Sequence, residues 1–438
     1  MILHETYQVP CIFEKKTSRD KILVTVPGSK SITNRALLLA TLAEGITTLR
    51  GVLFSDDSRH FLKCVQDLGF ETQVDEDKKV VTVKGCGGKV PKDTAFLYVG
   101  SAGTAARFLT AFLGVSDGLY HMDASEQMRK RPMAPLLQVL SVLGCDISFS
   151  EKEGFFPFTL RSHGFQKDTV TVNIDESSQF LSALLISSCL SPSDFRINMK
   201  GSHGMSYIEM TRLMMAQFGV KADLETDDTY ITHAGQKYHG LDYQIEPDVS
   251  AACYFYAMCP LLNIPVTVAN VSFASLQGDV AFLSILEKMG CTSKETPEGI
   301  LLLPPESRSF TGVTVDMSAC SDQAITLAAI APFATSPTTI NGIGHIRFQE
   351  CDRLNAITTE LSKLGIRCER TDTSITIYPG IPHAGKVATY DDHRMAMGFS
   401  LIGLRAPGIV IENPSCCRKT FENYFEVLEE ALSIFESI

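Results

Sequence analysis

The sequence predicts an α/β protein of two domains, each holding three copies of one repeat, and three observations carry that prediction. The first is a unit that returns with a nearly fixed period: an amphipathic helix ending in an apolar residue and glycine, an extended segment, a polar turn and a second short strand. It reads FLKCVQDLGFETQVDEDKKVVTVKG over 61–85 and recurs over 136–160, 207–232, 280–303 and 353–378. The helix-ending glycines Gly69, Gly144, Gly219, Gly290 and Gly365 are 75, 75, 71 and 75 residues apart. Glycine suits a left-handed C-cap, where a side chain would be strained. A sixth helix, 421–438, stands where the next one falls.

The second observation is a set of helices between these units, over 29–45, 101–114, 177–190, 248–262, 321–334 and 391–404. Each opens on small or polar residues and continues as a small-residue apolar run, so each is expected to be buried on every side. The third is the alternation of the two segments after each glycine, which marks half-buried strands. The singly alternating, continuously apolar strands of a Rossmann or TIM fold read differently. Six repeats in 438 residues are about 73 residues each. The third ends near HAGQKYHGLDYQIE (233–246), a polar stretch that suits an interdomain crossing. The small-residue helix starts are then expected to face one another across a cleft, an anion-binding arrangement.

Composition narrows the function. The 39 Lys plus Arg against 50 Asp plus Glu give a formal net charge of −11, which argues against a broad nucleic-acid or anionic-membrane surface. Any bound anion must meet a local basic cluster. Apolar runs fall short of the ~20 residues that span a bilayer. Residues 1–16 lack a secretory pattern, so a cytoplasmic protein is expected. Thirteen scattered cysteines and ten histidines without metal-ligand spacing suggest reduced thiols and no metal site.

Several short motifs carry chemistry. VPGSKSITNR (26–35) offers Lys30, Ser31 and Arg35 at a helix start; the second glycine of a Walker A loop is missing, and a capped surface helix is an equal reading. In GSAGTAARFL (100–109), Gly103 permits close approach of a ligand and Thr104 can cap the helix. SEQMRKRPMAPL (125–136) holds three cations, either a solvated turn or guanidinium groups suited to carboxylate or phosphate. DESSQFL (175–181) puts Ser177, Ser178 and Gln179 at a buried helix start, more hydrogen-bonding groups than one N-cap uses. Asp322 heads an apolar helix, as a cap or as a general base shielded from water. Glu350, Asp352 and Arg353 crowd one helix start, and Asp391, Asp392, His393 and Arg394 another. Arg418 and Lys419 precede the terminal helix, where positive charge opposes the dipole unless an anion is bound.

Together, SKSITNR, SAGTAAR, MRKRP, SSQFLSALL, ECDRLNA, DDHRMAM and RKTF follow in an order and spacing that resembles the 5-enolpyruvylshikimate-3-phosphate synthase family of enolpyruvyl transferases, over nearly the whole chain. The resemblance implies six βαβαββ repeats, three per domain, with an active site in the interdomain cleft. The first domain would span 29–246, and the second 1–28 plus 247–438. It implies transfer of the enolpyruvyl group of phosphoenolpyruvate to the 5-hydroxyl of shikimate 3-phosphate, with release of phosphate, in the shikimate pathway to chorismate and aromatic amino acids. No metal or organic cofactor is implied, the partners are the two small substrates, and a monomer is expected.

By motif match, Lys30, Arg131, Arg353, Arg394 and Lys419 would bind phosphoenolpyruvate, with Gly103 and Gln179 contributing, and Thr104 is counted among the substrate-binding residues. Ser31, Arg35, Ser177, Ser178 and Gln179 would hold shikimate 3-phosphate, with Lys30 shared and counted also among the catalytic groups. Asp322 would be the base for the acceptor hydroxyl, Glu350 and Lys419 would move protons at the methylene carbon, and His393 would orient neighbouring groups. Three positions depart from the family pattern on the acceptor side. Gln349, also assigned to substrate binding, stands for a lysine, His345 for an asparagine and Gly204 for a serine. These departures motivate an alternative, an enolpyruvyl transferase with another phosphorylated acceptor. UDP-N-acetylglucosamine enolpyruvyl transferases carry a cysteine in the loop matching SEQMRKRP, and this chain has none between Cys86 and Cys145. The resemblance also implies inhibition by glyphosate, weakened because Phe108 stands where the family commonly has proline.

Overall fold

All five period glycines adopt left-handed backbone, with φ of +91°, +98°, +104°, +113° and +81° in chain order. They end the helices the pattern predicts: Asp56–Asp67, Ala134–Val142, Met205–Gln217, Ala281–Lys288 and Arg353–Lys363. The computed structural model describes residues 5–435, so the last residues of the sixth helix expected over 421–438, and the first four of the 1–16 segment, lie outside the described residues. Within them that helix runs Tyr424–Leu432.

Each repeat forms a small sheet. Strands Thr94–Tyr98 and Asp117–Asp123 run parallel, joined by the helix Gly103–Gly114. Phe158–His163 then pairs antiparallel with Asp117–Asp123, and Asp146–Phe149 antiparallel with Phe158–His163. The same order is seen for Thr169–Asn173, Phe195–Lys200, Thr229–Thr232 and Ala222–Thr226, and for Thr314–Asp316, Thr338–Asn341, Ile375–Ile377 and Cys368–Arg370. Two sheets take their first strand from distant chain: Asp242–Gln244 lies parallel to Glu44–Arg50, and Ile22–Val24 parallel to Val266–Ala269. In the sixth, Thr6–Gln8 pairs antiparallel with Ile409–Glu412. The stretch 233–246 is therefore more than a polar connection. It contains a strand and the buried Tyr238, whose hydroxyl donates to the Ile186 carbonyl.

The chain divides into two compact units, Gly28–Ile245, and Met1–Pro27 with Glu246–Ile438. Each contains three of the small-residue helices. Every residue of Gly103–Gly114 is buried, as is every residue from His393 to Leu404. Apolar side chains on all faces need protein on all faces. The helices therefore sit inside their unit while the alternating strands carry polar residues outward, as in Val81 and Val83, buried on either side of Thr82. The thirteen cysteines are all unpaired among the described residues. Among the same residues, no helix is long and apolar enough to cross a membrane.

Candidate active site

In the unit Gly28–Ile245, the helix Lys30–Leu42 is capped by Ser29, whose hydroxyl accepts from the Ile32 N–H. Lys30 follows immediately, its Nζ 3.6 Å from Oδ2 of the buried Asp57, which also accepts a hydrogen bond from Ser101 at 3.4 Å. Ser31 uses its carbonyl to receive Arg35 Nη1 at 3.0 Å. Arg35 is buried, and donates also to Thr211 Oγ1 and the Tyr207 carbonyl. Its guanidinium lies 5.2 Å from the centre of the Phe108 ring. Burial lowers its pKa to about 10, because the bonds it makes go to neutral oxygens.

Gly103 is the meeting point of this unit. A Cβ built on it would lie 2.9 Å from Arg107 Nη1, 3.0 Å from Arg131 Nη1 and 3.2 Å from Gln179 Oε1. Two guanidinium groups and an amide oxygen therefore converge above one bare backbone position. Of the three cations in MRKRP, Arg131 is the one that reaches it; Arg129 is bound to Asp123 and Glu151 on the surface, and Lys130 is exposed. Thr104 does not cap its helix. The N-cap is Ala102, which has no side-chain hydrogen bond, and Thr104 accepts from Asn34 Nδ2 at 2.6 Å. Ser178 occupies the N-cap of Gln179–Ser187, also without a cap bond, while Ser177 Oγ accepts from the Gln179 N–H. Neither N-cap residue caps its helix through its side chain; at the second helix Ser177 takes that place, accepting from the Gln179 N–H on Oγ and from the Phe180 N–H on its carbonyl. Gly204 has φ +65°, and a Cβ there would fall 2.5 Å from Ser178 Oγ, so a serine would be strained.

In the other unit, charged groups interlock. Asp322 does not cap the helix Ala324–Ile330, whose N-cap is Gln323. Its Oδ1 takes Arg353 Nη1 at 3.0 Å and Gln349 Nε2 at 3.2 Å, and its Oδ2 takes Arg394 Nη2 at 2.8 Å. Arg353 continues to Glu350 at 2.8 Å and to the buried Asp392 at 2.7 Å, and also donates to Gln349 Oε1. Glu350 then pairs with Lys419 Nζ at 3.0 Å. Burial alone would lower the Arg353 pKa, but Asp392, Glu350 and Asp322 together outweigh it and hold it above the ordinary value. Asp352 and Asp392 are true N-caps, accepting from the backbone of Asn355 and Arg394. His393 is buried with Nδ1 3.6 Å from Asp392. Arg394 also reaches Tyr254 and Ser250, each at 3.4 Å.

The dipole argument for Arg418 and Lys419 fails. They end a short turn, Pro414–Lys419, and the terminal helix begins only at Tyr424. What holds Lys419 is Glu350. The two departures His345 and Gln349 both reach one turn: His345 Nε2 lies 2.7 Å from Ser321 Oγ, beside the Gln349 to Asp322 bond. Asp57, Arg107 and Asp392 escaped assignment in the sequence. The available signals were an arginine inside an apolar helix for Arg107, an aspartate in the first turn of a helix for Asp57 and an aspartate just before a helix for Asp392.

Comparison with known proteins agrees with this architecture. The family model for EPSP synthase (3-phosphoshikimate 1-carboxyvinyltransferase) matches residues 15–428. The chain is similar to a 3-phosphoshikimate 1-carboxyvinyltransferase of Nostoc punctiforme, 41% identical over 92% of this chain and 94% of the relative. In structure it is similar to an EPSP synthase from Acinetobacter baumannii, with a TM-score of 0.79, 24% identity, and 97% and 98% of the two chains covered. The enolpyruvyl transferase NikO from Streptomyces tendae shares the fold, with a TM-score of 0.76, 16% identity and the same coverage. With an intact period, an extensive family match and relatives aligned nearly end to end, the chain belongs to the EPSP synthase (3-phosphoshikimate 1-carboxyvinyltransferase) family.

Proposed function

We propose that the protein transfers the enolpyruvyl group of phosphoenolpyruvate to the 5-hydroxyl of shikimate 3-phosphate and releases phosphate, as a cytoplasmic enzyme acting as a monomer. The observation that supports this most is the cluster of Asp322, Arg353, Glu350, Lys419 and Arg394, in which one half-buried carboxylate, Asp322, shares an arginine with a carboxyl–ammonium pair. The acceptor oxygen adds to the enol carbon as its proton passes to Asp322. Glu350 and Lys419 deliver a proton to the methylene carbon and later recover one from the same carbon. Loss of phosphate with its bonding electrons restores the double bond.

Both substrates are polyanions, and the cations around Asp322 are already balanced by carboxylates. The reading therefore recruits Lys30, Arg131 and Gln179, gathered near Gly103 and Asp57 in the other unit, for phosphoenolpyruvate. Arg35, Ser31, Ser177 and Ser178 serve the acceptor; a buried guanidinium surrounded by neutral oxygens favours an incoming carboxylate or phosphate. His393 and Asp392 orient Arg394 and Arg353. The test is phosphate release from phosphoenolpyruvate with shikimate 3-phosphate, with UDP-N-acetylglucosamine and with no acceptor. Release only with shikimate 3-phosphate is expected, and equal release with the other acceptor would reject the assignment.

A further inference from the structure

Each residue of the turn Ser321–Gln323 is held by a side chain from elsewhere in its unit. His345 meets Ser321, Gln349 meets Asp322, and Gln323, fully buried, donates from Nε2 to Asp279 Oδ1 at 2.8 Å while its Oε1 accepts from Thr326 at 3.0 Å. Asp279 is buried, in the turn Gly278–Val280 that leads into the helix Ala281–Lys288, and it belongs to none of the seven motifs. A desolvated carboxylate is a costly tether, since an asparagine would accept the same amide hydrogen bond without a buried charge. The charge itself therefore calls for a role.

Asp322 supplies one. Arg353 and Arg394 press on it at 3.0 and 2.8 Å, and two cations so close favour the ionised form and weaken it as a base. A second carboxylate behind the turn opposes them. We infer that Asp279 is a positioning residue for the proton transfer: through Gln323 it fixes the turn that carries Asp322, and its negative charge keeps Asp322 basic between two arginines. The inference rests on the reading of Asp322 as the base. The charged groups facing Asp279 are Asp322, Arg394 and Asp248, with the thiols of Cys253 and Cys320 beside it. Burial first, and then the charge of Asp322, raise the Asp279 pKa to about 6, the reciprocal of the same interaction.

The test follows phosphate release with both substrates from about pH 5 to about pH 9 for the full chain and for Asp279→Asn, Asp279→Ala and Asp322→Asn. Asp279→Asn keeps shape and acceptor oxygen but removes the charge. Its acidic limb of kcat should move to lower pH by about half a unit or more, and its plateau should fall about two- to threefold, with both KM values within about twofold of wild type. Asp279→Ala, which also loses the tether, should fall further; if it does not fold, the asparagine variant decides alone. A profile for Asp279→Asn that superimposes on wild type, with Asp322→Asn inactive, overturns the inference and leaves the base in place. An Asp322→Asn variant with wild-type kcat removes the base, and this inference with it.

Discussion

Asp322 is gripped by two arginines and a glutamine, so its replacement separates shape from proton chemistry. Asp322→Asn should lower kcat ~10²–10⁴-fold while calorimetry still detects binding of the substrate pair. A fall of less than about tenfold would send the search for the base elsewhere. Gly103→Ala would drive a methyl against Arg107, Arg131 and Gln179, at distances that force these flexible ends to move. The KM for phosphoenolpyruvate should rise severalfold, and the Ki of glyphosate, a longer molecule, should rise more; equal changes would show that the pocket floor does not discriminate length. Asp279 has a stability signature as well. Burial raises its folded pKa to about 6, above the ordinary aspartate value of 3.8, so its contribution is most favourable below about pH 4 and is lost as pH rises through about 6. Asp279→Asn should therefore raise Tm more at neutral pH than at about pH 4, as differential scanning calorimetry can read. At this scale the motifs led to Lys30, Gly103, Arg131, Gln179, Arg353 and Lys419. They did not lead to Asp57, Arg107 or Asp279, whose significance lies in partners on other elements.

Helices show where patterning works and where it misleads. The left-handed glycines and the all-round burial of Gly103–Gly114 follow from local rules, and both were legible. Capping was not. Thr104 and Asp322 sit where a cap is expected, yet their oxygens accept from Asn34 and from Arg353, Arg394 and Gln349. A polar side chain at a helix start chooses between its own backbone and a neighbour, and only packing decides. Phe108 tests the element as a whole. It is buried in mid-helix beneath the Arg35 guanidinium, so Phe108→Pro removes both an interior helical N–H and that ring. Denaturant unfolding should show a loss of about 3 kcal/mol or more. The ratio of glyphosate Ki to phosphoenolpyruvate KM should nevertheless fall, because relaxing the ring's bulk behind Gly103 and Thr104 favours the longer ligand. A ratio that stays constant or rises would show that position 108 does not set discrimination.

At the scale of the whole molecule, the chain folds as two compact units, Gly28–Ile245, and Met1–Pro27 with Glu246–Ile438. The sequence by itself determined the repeat, the class of its strands and helices, the acidic balance and the family. Each of these rests on backbone preference, apolar period, composition or motif order, which are read along the chain without knowing which residues meet. Tertiary structure alone decided the partners: Lys30 with Asp57, Lys419 with Glu350, Arg353 with Asp392, and Asp279 with Gln323. It also decided that distant strands, Thr6–Gln8, Ile22–Val24 and Asp242–Gln244, complete sheets begun elsewhere. The physical reason is the same in both cases. A hydrogen bond or ion pair forms only when packing and strand register bring two groups within about 3 Å, and no local pattern encodes that distance.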